Sequence, residues 1–241
     1  MIRSELLQKY KDFSIRYSPQ NKYIYTDSTY KGIIYITYEN ILLCNILEEY
    51  KHFVPKRSKK EYSELISLLS YHHTKFLLSI LNNDYLYFCY LSRTISELML
   101  KIFLLLNTSD NNLDLTKESF RFLKSDIKKI LKSPEFKESI LIKDDIAKLE
   151  SRFSKFSNII HTNQHENLNT IEYLSNQFTN EPKKLLEILK FFQEVNHSFY
   201  FLIFHSIDLN FNKLGSVQRT QLSEQLKEKK FNTVKSKYLS F

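Results

Sequence analysis

Two glycines, Gly32 and Gly215, are all that 241 residues contain. A chain so poor in glycine has few ways to turn sharply, which argues against an all-β sandwich. The scarcity also excludes the two commonest glycine-rich phosphate loops, GxGxxG and GxxxxGK followed by Ser or Thr. The two glycines are too far apart to build either. That leaves nucleotide binding by other means open. From Glu61 onward the apolar residues recur at three- and four-residue spacing nearly throughout, the pattern of packed helices.

At 241 residues and 29.0 kDa the chain can bury one sizeable core, or form a main domain with a small appendage. Charged residues at 26% and hydrophobic residues at 42% predict an ordinary soluble globular protein. The net charge of +8 and pI near 9.2 favour polyanionic partners, RNA, DNA or an anionic surface. A Lys-, Asn-, Ile- and Tyr-rich composition from an AT-rich genome gives the same excess without any partner. Cys44 and Cys89 are the only cysteines, so neither a disulfide framework nor a CxxC metal site is expected. Met1 to Tyr10 is polar, so no signal peptide is expected. Tyr85–Leu106 approaches membrane-span length but carries Arg93, Glu97 and Lys101. Leu185–Leu209 carries Glu187, Lys190, Glu194 and two histidines. Both read as buried core helices. The expectation is a cytoplasmic protein with no membrane association, no metal and no cofactor.

Three regions are expected. Residues 1–58 form an N-terminal α/β appendage, 59–210 an antiparallel helical bundle, and 211–241 a basic C-terminal helix and tail. In the first region the β-branched and aromatic stretches Lys22–Thr26 and Gly32–Tyr38 flank Asp27-Ser28-Thr29, which suggests a small hairpin. A short helix over Glu39–His52 and an exposed basic connector, Val54 to Lys60, follow. Helices are then expected over Glu61–Leu81, Tyr85–Leu106, Thr116–Leu131, Ile140–His161 and Thr170–Phe178, and from Pro182 to about Asp208. Asn163–Asn169 is expected to be a loop. The fold class is mainly α. The tail from Asn212 to Phe241 holds seven Lys or Arg and two acids, with one helix expected over Val217–Lys230. It reads as a solvated tail or as a basic arm for nucleic acid or a partner.

Arg93, Glu97 and Lys101 stand four residues apart inside the apolar Tyr85–Leu106 run. On a helix they stack on one face. Charges on so apolar a helix are costly to bury without partners, so they mark a solvated edge or a polar pocket. On the helix ending at His161, Leu149, Phe153, Phe156 and Ile160 form a core stripe, with Glu150, Ser154, Ser157 and His161 one step around it. An imidazole beside a buried stripe, with a hydroxyl one turn back, can serve as general acid or base near neutral pH. Arg152 and Lys155 on the same helix can neutralise a phosphate. The plainer readings are a cation at a helix C-terminus for His161 and a surface salt-bridge ladder for the charged stripe.

The segment Tyr90-Leu-Ser-Arg-Thr-Ile-Ser-Glu-Leu-Met-Leu100 resembles the aRxxxE helix of HEPN-like proteins of the abortive-infection type. Phe153-Ser-Lys-Phe-Ser-Asn-Ile-Ile-His-Thr162 resembles their LSxxxH helix. The resemblance covers about Glu61 to Asp208. It implies a four- or five-helix antiparallel bundle that dimerises along the motif helices. Many such proteins are metal-independent ribonucleases of phage-defence and toxin–antitoxin systems; others are inert dimerisation or binding modules. Carried over, His161 is the family histidine, Ser157 the polar position before it, and Arg93 and Glu97 the pair on the partner helix. The implied catalytic residues are Arg93, Glu97 and His161, with Arg152, Lys155, Ser157 and Asn158 at the substrate. The implied partners are RNA, a second copy of the chain, and an antitoxin or sensor protein. One departure stands out. The ribonuclease motif places an arginine five to seven residues before the histidine, where this chain has Ser154, Lys155 and Phe156. The competing expectation is a non-catalytic helical adaptor or nucleic-acid-binding module that uses the same polar cluster structurally.

Overall fold

A computed structural model describes residues 3–18, 28–49, 58–82, 84–108, 120–137, 139–165 and 182–206, with the single positions 51, 54, 115, 216, 220 and 232. Among the described residues there are eight helices and no strand. The helices are α1 (Arg3–Tyr17), α2 (Ser28–Glu49), α3 (Lys59–Leu81), α4 (Tyr85–Asn107), α5 (Phe120–Lys132), α6 (Pro134–Lys137), α7 (Ile140–His165) and α8 (Pro182–Ser206).

α4 holds the centre because it is apolar on most of its circumference, with Phe88, Leu91, Ile95, Met99, Ile102 and Phe103 all buried. Asp84 starts it, its carboxylate accepting the Tyr87 N–H at 2.9 Å. The turn from α3 is short, so the two helices form a hairpin. Its mark is the edge-on contact of Phe76 and Phe88, with centroids 5.2 Å apart. α7 runs antiparallel to α4: Phe88 meets Phe156 at 5.4 Å, while Arg93, further along α4, meets Phe153, earlier in α7. α8 runs parallel to α4, from the Phe88–Phe191 contact to the Asn107–Ser206 hydrogen bond of 2.8 Å. α2 is parallel to α8, with Gly32 beside Leu189 and Asn40 bonded to Asn196 and Tyr200. Thus α2, α4 and α8 run one way and α3 and α7 the other. α4 packs on α3, α7 and α8, and α2 closes the ring on α3 and α8. Outside this ring α1 lies on α2 and reaches α3, where the Tyr10 hydroxyl donates to the Leu77 carbonyl.

The helical bundle expected from the apolar spacing is present, and among the described residues the first region is helical, with no strand to support an α/β appendage. Gly32–Tyr38, read as a strand from its β-branched and aromatic residues, lies inside α2. The helical period wins because Ile33, Thr37, Asn40, Cys44 and Leu47 recur on one face and all are buried. That face joins the same hydrophobic core as α3, α4, α7 and α8, so α2 is part of the bundle. The helix expected to start at Glu39 is the second half of α2. Val54 of the connector is buried. α7 runs on to His165, through the start of the expected loop at Asn163. The other proposed strand, Lys22–Thr26, and the expected helix Thr170–Phe178 lie outside the described residues. So does nearly all of the basic tail.

Candidate functional site

The charged stripe of α4 is not an open face: Arg93 and Glu97 are half-buried and Lys101 is buried. Its members do not pair with one another as a triad. Arg93 turns towards α7, its guanidinium carbon 5.3 Å from the Phe153 ring centroid. Glu97 and Lys101 form their own ion pair at 3.0 Å, with side chains 19% and 7% exposed. On α7 the edge next to this stripe carries Ser157, half-buried, and His161, exposed; Asn158 is exposed as well. Eight residues separate Phe153 from His161, about 12 Å along a helix axis. Because α4 and α7 are antiparallel, His161 stands near the start of α4 while Arg93 sits two turns further down the same seam. Within one chain Arg93 thus lies at Phe153, about two helical turns along α7 from His161.

The two cations of α7 point the other way, into the seam with α8. Arg152 is ion-paired with Glu194 and Lys155 with Glu187. Glu187 also accepts the Tyr85 hydroxyl at 3.3 Å, so it ties α8 to both α4 and α7. Burial raises the Tyr85 phenol above its ordinary value, and the neighbouring Cys89 and Glu187 add to the rise. One turn before Arg152, Lys148 pairs with Asp145 at 3.3 Å. Asp145 is fully buried and also accepts the Ser198 hydroxyl at 2.9 Å. Each of these three cations of α7 is therefore paired with a carboxylate.

A polar layer crosses the middle of the bundle. The Asn40 amide donates to the Asn196 carbonyl oxygen at 3.0 Å, and the Tyr200 hydroxyl donates to the Asn40 oxygen at 2.8 Å. One turn from the Phe76–Phe88 contact, His73 and Ser92 face the interior from adjacent helices. The His73 ring lies 5.9 Å from that of Phe192, and neither its Nδ1 nor the Ser92 hydroxyl has a partner. Burial, with His72 beside it, pushes His73 down to about 3, so its ring is neutral.

Sequence reasoning singled out Arg152 and Lys155 but missed the carboxylates that hold them. Glu187 and Glu194 were read only as charges too many for a membrane span. Their role depends on the α7–α8 register, which no local pattern encodes. Among the described residues no cluster of three or more His, Cys, Asp or Glu is arranged to hold a metal ion. No described helix is long and apolar enough to cross a membrane. No protein-family model matches the chain, and no curated protein and no solved structure matches it.

Proposed function

We propose that the chain is a HEPN-like, RNA-directed protein of a defence or toxin–antitoxin system, and that two copies complete a metal-independent endoribonuclease site. The observation behind this reading is that His161 is exposed on α7, the same helix whose Phe153 carries Arg93. A two-fold contact along α4 and α7 would bring Arg93 of the partner subunit to His161, which a single chain does not do. In the reaction a ribose 2′-oxygen attacks the adjacent phosphorus and the 5′-oxygen leaves, giving a 2′,3′-cyclic phosphate and a 5′-hydroxyl. His161 moves the proton at one of these oxygens, and Arg93 stabilises charge on the phosphorane. Glu97 holds Lys101 beside the cleft, Ser157 and Asn158 meet the substrate, and Arg152 and Lys155, on the α8 side of α7, take the strand beyond it.

The test compares wild type, His161→Ala and Arg93→Ala for toxicity on expression and for cleavage of cellular RNA. Both variants lose activity, and mixing the two restores part of it, because one composite site regains both residues. A wild type that neither harms cells nor cuts RNA overturns the enzyme reading. The second reading, a non-catalytic dimerisation, adaptor or nucleic-acid-binding module, is favoured by one feature. Arg93 and Glu97 are already engaged, with Phe153 and Lys101.

A further inference from the structure

Lys148, Arg152 and Lys155 form a strip of cations along one edge of α7, about 10 Å from first to last at the helical rise. A strip like this matches a run of backbone phosphates, and arginine in particular can grip phosphate with two parallel hydrogen bonds. Each of the three already holds a carboxylate, and the carboxylates are of two kinds. Asp145 is buried, belongs to α7 itself and is fixed by Ser198. Glu194 and Glu187 reach across from α8, and their side chains are 47% and 32% exposed. Ion pairs this open to water hold only weakly.

We propose that the α7–α8 seam is a binding strip for the phosphodiester backbone of single-stranded RNA, and that Glu187 and Glu194 occupy it as an intramolecular latch. This rests on the RNA-directed reading above. The two carboxylates stand where phosphates bind, and they cancel the charge of Arg152 and Lys155. RNA engages the strip only by displacing them. A signal that draws α8 carboxylates away, or a partner that neutralises them, opens the site. On a chain of net charge +8, these pairings keep the strip from gripping polyanions indiscriminately.

The decisive variant is Glu187→Gln with Glu194→Gln. Glutamine keeps the shape and still accepts the Tyr85 hydrogen bond while removing both charges. The control is Glu5→Gln with Glu64→Gln, which changes net charge equally at exposed pairs on α1 and α3. Affinity for a fluorescent single-stranded RNA oligonucleotide is measured by anisotropy across a salt series, with thermal melts to check folding. The latch variant binds about tenfold more tightly than the control, and its salt slope steepens by about 1.4, since each freed cation releases roughly 0.7 of a counterion on a single strand. An equal gain in the control means bulk charge alone and overturns the latch. Unchanged binding in a protein that does bind RNA overturns the latch and leaves the RNA-directed reading standing. Absence of binding in every protein overturns both.

Discussion

Phe153 lies against both Arg93 and Phe120, its ring centroid 5.3 Å from the guanidinium carbon and 4.4 Å from the second ring. Three helices, α4, α5 and α7, meet at this one side chain. The most conspicuous arginine of the sequence is therefore part of the packing as well as a candidate for chemistry.

That dual role is measurable. In a double-mutant cycle of Arg93→Ala and Phe153→Leu, urea unfolding should give a coupling of about 0.5–1 kcal/mol, the size of a partly exposed cation–π contact. A coupling near zero would mean that the guanidinium is idle against the ring and available for other work.

Tyr200→Phe tests the polar layer. The change removes only a hydroxyl, but it leaves the Asn40 oxygen in a fully buried site without its donor. Chemical denaturation should register a loss of about 1–3 kcal/mol, the cost of an unsatisfied buried acceptor. An unchanged midpoint would show that Asn40 finds another donor.

Gly32→Ala should stabilise the protein. Gly32 sits within α2, where glycine costs about 0.8–1 kcal/mol relative to alanine. A methyl group there would touch only the tip of Leu189, at 3.4 and 3.7 Å, ordinary contact with the end of a flexible side chain. A melting temperature that rises supports this packing of α2 on α8; a fall would place the two helices closer than described.

How far the sequence reached can be judged helix by helix. α3, α4, α7 and α8 were legible because each carries a long stripe of apolar residues at one period, with punctuation at Asn82 to Asp84 and at Pro182. α2 was misread in its first half because Ile33-Ile34-Tyr35-Ile36-Thr37-Tyr38 satisfies strand preferences locally. Only its burial against α3 and α8 decides for helix. At the candidate site the residue types were legible and the geometry was not. Placing His161 near the start of α4, and Glu187 against Lys155, requires the relative register of helices far apart in sequence. Side-chain packing fixes that register, and no spacing within one helix records it.

His73 makes stability depend on pH, with a sign that can be worked out. Burial lowers its folded-state value to about 3, whereas an unfolded chain titrates near 6.5. Above the unfolded value the ring is neutral in both states, and the contribution to stability is complete. As pH falls from 6.5 towards 3 the unfolded chain takes up a proton that the folded one refuses, so stability drains away across that window. From about pH 7 to pH 5 the loss amounts to about 2 kcal/mol. His73→Leu removes this term whatever its effect on absolute stability. Urea midpoints for the variant should fall less over that range than those of the wild type, by the equivalent of that amount. His72, also lowered by burial, and the carboxylates remain in both proteins and drop out of the comparison. Parallel slopes would mean that His73 is charged or solvated in the folded protein, and would remove it from the sealed layer.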